Sequence, residues 1–161
     1  MKCYHVLACD VLAEIQKQTL DYLATSTTFL TEKNKRPWQA VDTKSVFSAV
    51  PSLLVWLRSQ RLLPHDVSFI IYHNTGIGLP IHTDDPQLTC KVNIPIQNTE
   101  GNITRWHADD DSVIAEYDMT QPVVFNSSIP HSVEIRNQNL PRIIMAVMIK
   151  NEKSLLELLA D

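Results

Sequence analysis

The sequence predicts a mainly β fold with flanking N-terminal helices, of the jelly-roll or small-barrel kind. Three observations lead there. Apolar residues at helical spacing are confined to the first part of the chain and a short tail. From Val67 onward the chain is a succession of short β-branched and aromatic runs separated by Pro, Asn and Asp. With 44% hydrophobic and 20% charged residues, a chain of 161 residues fills one core and leaves no room for a second domain of similar size.

Taken in order, a short strand at Tyr4 to Ala8 opens the chain, and Asp10 is placed to cap a helix whose Leu12, Ile15, Leu20 and Leu23 recur at helical spacing. The Thr/Ser cluster at 25–28 ends it. Residues 31–42 are polar, contain Pro37, and read as a loop from which Trp38 docks on the body of the domain. A second helix has Pro51 in its first turn and a buried side of Leu53, Leu54, Leu57 and Leu62 or Leu63, and Pro64 stops it. Residues 1–66 are thus a helical buttress. Eight strands are expected in the core region, 67–150: 67–73, 80–84, 88–96, 102–107, 112–117, 122–126, 131–135 and 142–149. Residues 151–161 read as a charged, Leu-rich helical tail. With three glycines in the chain, the turns rely on Asn, Asp and Pro.

A net charge of -4 gives no general attraction to phosphate backbones or anionic lipid, so neither nucleic acid nor a membrane surface is the expected partner. No apolar stretch reaches the roughly 18 residues of a membrane span. Cys3, Cys9 and Cys90 have neither paired nor C-x-x-C spacing, which points to a reducing compartment. The N-terminus reaches Asp10 and Glu14 before any useful apolar run, so no signal peptide is read and a cytoplasmic location is expected.

The chemistry-bearing residues lie in the β region. His82 and Asp84 are two apart, so on a strand both point to one face. His131 opens a later strand behind Pro130. Two imidazoles and a carboxylate on one side of a metal form the facial triad of non-haem Fe(II) oxygenases, with open positions for co-substrate and oxygen; zinc accepts such ligands too. An H-x-D pair alone arises often by chance. The signal strengthens because Arg142 opens the last strand, where its planar fork could bind a carboxylate through two parallel hydrogen bonds. A surface ion pair is the alternative role for that arginine.

The strings GIGLPIHTD (76–84), FNSSIPHSVEI (125–135) and PRIIMAVMI (141–149) resemble the 2-oxoglutarate/Fe(II)-dependent dioxygenases, particularly their small prolyl or aspartyl/asparaginyl hydroxylase-like branches. The resemblance covers residues 67–150. It implies a cupin-like double-stranded β-helix, with Fe(II) held by His82, Asp84 and His131 and the distal carboxylate of the co-substrate 2-oxoglutarate on Arg142. Asn93, alternating with apolar neighbours in KVNIPI, would face the same cavity and contact 2-oxoglutarate. Tyr72 is a further co-substrate candidate, with a core tyrosine as its alternative. It lies four residues before Gly76, whereas the family pattern has three. Asp85 would point to the opposite face from Asp84. The implied reaction uses O2 to hydroxylate a small molecule or an amino-acid or peptide side chain, releasing succinate and CO2.

Two rivals are a cupin-like metalloenzyme that does not use 2-oxoglutarate, for which Arg142 has no required role, and a non-catalytic β-sandwich binding protein. Substrate contacts are expected from residues 31–42, the turn at 74–81 and the strand near Trp106, with Arg105 and Trp106 shaping the site or, for the tryptophan, packing in the core. His5, His65, His73 and His107 lack ligand-like partners and are read as surface or structural residues, His107 being the nearest to a cavity mouth.

Overall fold

The computed structural model describes residues 1–25, 37–72, 78–84, 90–136 and 139–160. In chain order its elements are β1 (Tyr4–Val6), α1 (Leu12–Ala24), β2 (Trp38–Ala40), α2 (Thr43–Ala49), α3 (Pro51–Ser59), β3 (Pro64–Tyr72), β4 (Leu79–His82), β5 (Cys90–Gln97), β6 (Ile103–His107), β7 (Val113–Asp118), β8 (Val123–Asn126), β9 (His131–Glu134), β10 (Arg142–Ile149) and α4 (Glu152–Leu158). All pairings are antiparallel. They build a six-stranded sheet ordered β1-β8-β5-β10-β3-β2 and a four-stranded sheet ordered β4-β9-β6-β7.

Strand alternation divides the six-stranded sheet into two working faces. On one, Phe69 and Ile71 of β3, Val92 and Ile94 of β5, and Met145 and Val147 of β10 form a core with the helices. Leu12, Ile15 and Leu23 of α1, Leu53 and Leu57 of α3, and Leu155 of α4 cover it. The opposite face carries Ile70, Tyr72, Lys91, Asn93, Arg142 and Ile144, which line a cavity shared with residues of the four-stranded sheet. A smaller apolar cluster of Trp106, Met119, Val123, Phe125 and Ile144 borders that cavity. The buttress and the site therefore occupy opposite faces of the same strands.

The eight expected strands all form, with ends shifted by a few residues. The first begins at Pro64, which opens β3 instead of merely ending the helix before it; proline is tolerated at a strand's first position because no ladder donor is needed there. The N-terminal region is not purely helical. Within the segment read as loop, β2 adds to the sheet edge, Trp38 pairing with Ile70 and the Pro37 carbonyl accepting from Ile71 N–H at 2.8 Å.

The capping expectation for α1 also fails. The cap position falls on Val11, which offers no side-chain acceptor, and Glu14 supplies the negative charge of the first turn. The expected second helix forms as α3, and an unexpected one, α2, precedes it. Asp42 caps α2 by accepting from Ser45 N–H at 3.1 Å, and Pro51, which cannot continue an i to i−4 ladder, starts α3 afresh. That helix ends at Ser59, with Arg61 at φ 58, so Leu62 is buried beyond the helix and Leu63 is exposed.

Candidate metal and co-substrate site

His82 and His131 stand directly opposite each other in the β4–β9 pair. The register reaches that pairing through an irregularity: three steps from Leu79 to His82 face two from Val133 to His131. An extra residue on one strand is a β-bulge, and Pro80, which has no ladder N–H to lose, lies within it. The bulge reverses strand parity, so Leu79 and His82, three apart, both line the cavity. Just before it, Gly78 lies so close to β9 that a Cβ there would sit 1.7 Å from the Val133 carbonyl oxygen.

Each imidazole is oriented by its own chain. His82 Nδ1 lies 2.8 Å from the Pro80 carbonyl and His131 Nδ1 lies 2.9 Å from that of Ile129. A carbonyl only accepts, so Nδ1 carries the proton and Nε2 presents its lone pair. Asp84 is not on the strand as expected: β4 ends at His82, and Asp84 is instead anchored by its N–H to the Ser127 carbonyl at 3.2 Å. Its Oδ1 is 3.9 Å from Nε2 of both histidines, and the three ligand atoms lie within 4.8 Å of one another. With bonds of about 2.1 Å, ligands on one face of a metal ion lie roughly 3 Å apart, so the three side chains are gathered around one point and must draw in by about 1 to 2 Å to hold an ion. Burial pushes the His131 imidazole down to about 4, which keeps its lone pair available at neutral pH.

The cavity, about 210 Å³, runs from these three residues to Arg142. Arg142 is 3% exposed, pairs across the ladder with Tyr72, and places its guanidinium carbon 5.9 Å from the Tyr72 ring. Burial pulls its pKa down from the ordinary guanidinium value to about 10, and no carboxylate among the described residues pairs with it. Its Nε, the Tyr72 hydroxyl, Asn93 Oδ1 and Thr104 Oγ1 are all buried without a hydrogen-bond partner among the described residues. Burial raises the Tyr72 hydroxyl well above the usual phenol value, so it stays a donor. Native interiors rarely leave such groups unmatched. A cation with two further unmatched hydroxyl groups, those of Tyr72 and Thr104, suits an anionic, oxygen-rich ligand, and the histidine–aspartate set suits a divalent metal ion.

All six sequence-derived site residues, His82, Asp84, His131, Arg142, Asn93 and Tyr72, line this one cavity. So do Pro37 and Trp38 from the expected substrate segment, whereas residues 31–36 and 74–77, together with His73 and Asp85, lie outside the described residues. Trp106 is core, fully buried, and Arg105 is tied to Glu116 and Glu134, so neither lines the cavity. His107 is held at both nitrogens, by the Asp111 carbonyl at 3.0 Å and Ser132 Oγ at 2.8 Å, as a structural residue. Sequence reasoning missed Thr104 and Lys91. The lysine had a signal: in KVNIPI it shares strand parity with Asn93, so the argument that turned one inward turned both.

No family model matches the chain, and no curated protein matches it. Solved structures do. A Trichoplax adhaerens prolyl hydroxylase, solved with a hypoxia-inducible-factor peptide, aligns at TM-score 0.59 and 16% identity over 98% of this chain and 87% of that one. A Pseudomonas putida prolyl-4-hydroxylase aligns at TM-score 0.56 and 14% identity over 92% of both chains. SnoN, a non-haem α-ketoglutarate-dependent epimerase from nogalamycin biosynthesis, aligns at TM-score 0.59 and 12% identity over 91% of this chain and 76% of that one. These likenesses concern the fold, and they agree with the strand arrangement described above. The chain has the fold of the 2-oxoglutarate/Fe(II)-dependent dioxygenases.

Proposed function

We propose that the protein is a non-haem Fe(II)/2-oxoglutarate-dependent oxygenase, built as one domain over residues 1–161 in the form of a double-stranded β-helix. One observation carries the reading: a His82/Asp84/His131 cluster and the buried Arg142, which has no carboxylate partner among the described residues, face each other across a single cavity. A non-catalytic sandwich gives no reason to bury an unpaired cation there, since apolar residues fill such space at lower cost.

His82, Asp84 and His131 would hold Fe(II) on one face of its coordination sphere. Arg142 would pair with the distal carboxylate of 2-oxoglutarate through its planar fork, with Tyr72 donating its hydroxyl to the same ligand. The Thr104 hydroxyl and the amide N–H of Asn93 would donate to its remaining oxygens. When bound, Fe(II) supplies the redox chemistry that couples O2 reduction and conversion of 2-oxoglutarate to succinate and CO2 with oxidation of a substrate C–H bond. The chain's part is to fix these partners, keep water from the buried end of the cavity, and select the bond. Pro37 and Trp38 line the cavity, the tryptophan 40% exposed, and would present an apolar wall to a small molecule or an amino-acid or peptide side chain. Among the described residues no helix is long and apolar enough to cross a membrane.

Anaerobic titration tests the proposal. Adding Fe(II) and then 2-oxoglutarate should produce the weak visible charge-transfer band of an iron-bound keto acid, and His82→Ala should abolish it. A protein that binds Fe(II) but yields no band with 2-oxoglutarate would favour the keto-acid-independent rival.

A further inference from the structure

Lys91 lies on β5, whose other face packs against the helices, and its side chain turns into the cavity and is 3% exposed. Its ammonium sits over the Trp38 and Phe125 rings, 5.2 Å and 5.5 Å from their centroids. Among the described residues its one carboxylate partner is Asp84, through Oδ2. The other oxygen of that carboxylate, Oδ1, is the one that faces both histidines. The two oxygens thus have different partners: one turned toward the candidate metal position, the other engaged by a buried ammonium.

On the metal-site reading above, we infer that Lys91 is a positioning residue that keeps Asp84 a one-oxygen ligand. An aspartate beside a divalent ion can bind through one oxygen or both, and two-oxygen binding takes an additional coordination position. A facial triad is useful because three positions remain, two for a chelating keto acid and one for oxygen. With Oδ2 held by Lys91, the carboxylate cannot turn its second oxygen to the metal without leaving a buried ammonium unpaired, which is costly. The Asp84 N–H bond to Ser127 restrains the same residue from the backbone side.

This role has a sign that a merely orienting or packing role lacks. Losing a partner that only orients a metal ligand typically weakens metal binding about 10- to 100-fold. Losing Lys91 instead removes a positive charge close to the metal position and frees a second oxygen. Both changes favour the ion, so binding should tighten by about tenfold or more.

The test uses Mn(II) as the probe, in the full chain, with no turnover involved. Mn(II) affinity is titrated, and metal-bound exchangeable waters are counted by electron–nuclear resonance in isotopically labelled water. The expected result is three waters in the unsubstituted protein and two in Lys91→Met, with tighter binding; Lys91→Arg, which keeps the charge and the carboxylate pairing, should retain three. Three waters in a folded Lys91→Met, or weaker Mn(II) binding, overturns the inference and leaves the metal site intact. Absence of Mn(II) binding in the unsubstituted protein overturns the metal-site reading itself, and this role with it. Should Lys91→Met not fold, Lys91→Gln is read in its place by affinity alone: it keeps a donor without the charge, so Mn(II) binding should tighten, and an unchanged or weaker affinity there overturns the inference.

Discussion

Replacing Arg142 by methionine should make the protein more stable and make it insensitive to 2-oxoglutarate. Burial lowers the guanidinium from its ordinary value to about 10, and that displacement corresponds to a cost of about 3 kcal/mol for holding it charged. The Tyr72 ring returns about 1 kcal/mol as a cation–π contact, leaving about 2 kcal/mol to be gained by an apolar side chain of similar length. The sign follows from proton counting. The unfolded chain holds more protons than the folded one only above about pH 10, up to the ordinary guanidinium value, so the cost is present in full at every lower pH. At neutral pH the gain should raise the melting temperature by about 4 to 8 °C. The same substitution removes a buried two-bond ion pair to the co-substrate, worth about 3 to 5 kcal/mol, or roughly two to three and a half orders of magnitude in affinity. Calorimetric melting of the Mn(II)-loaded protein, with and without 2-oxoglutarate, reads both effects. A variant that melts below the parent, or whose melting still climbs with 2-oxoglutarate as the parent's does, would refute the assignment of Arg142 as an unpaired cation awaiting an anion.

Two further outcomes are expected. Gly78→Ala would set a Cβ 1.7 Å from the Val133 backbone oxygen, so β4 must move off β9; about 1 to 3 kcal/mol of stability and much of the metal affinity should go together, as read by urea unfolding and Mn(II) titration. Stability lost with metal affinity unchanged would mean that the β4–β9 contact does not set the histidine spacing. For the apoprotein, His131 is depressed to about 4 against 6.5 when free, so the unfolded chain binds the extra proton between those values. Stability should therefore be fully present above about pH 6.5 and decline as pH falls toward 4, and His131→Gln should flatten that decline; parallel pH profiles for the two proteins would contradict it.

The β half was legible because eight runs separated by turn residues leave little freedom in strand number, and the last, Arg142–Ile149, keeps its expected ends. The helical half was less so. Asp42 caps a helix that lacks a clear apolar stripe, its one fully buried residue being Val46, so periodicity missed it. The edge strand at Trp38 has three residues and follows a proline, and only tertiary pairing with β3 makes it a strand. Within the site, the residues were found but the geometry was partly wrong. His82 and Asp84 were placed together by strand parity, whereas β4 carries a bulge and stops at His82, and Asp84 reaches the cluster from beyond the strand end. Bulges are set by the partner strand, which no local pattern records. Lys91 escaped because a lysine is seldom buried without a partner, and its partner Asp84 is a neighbour only in the folded chain.

The polar content of the cavity argues for function over folding. Arg142 and Lys91 are both buried, with Asp84 the one acid among the described residues lining the space they face. Replacing such charges by well-packed apolar residues is generally neutral or stabilising, so nothing in core formation calls for them. The fold can carry the cost because its stability is built elsewhere: on β3, β5 and β10 the alternate residues are the apolar set that meets the helices. Separating the two faces of one sheet lets the inner one hold Arg142 and the lysine that engages the Asp84 carboxylate. It also explains why the rival without 2-oxoglutarate is a real contender on metal ligands alone, since the histidine–aspartate cluster serves either chemistry. What separates them is Arg142 at the far end of the cavity, a buried cation that only an anionic partner makes economical to keep.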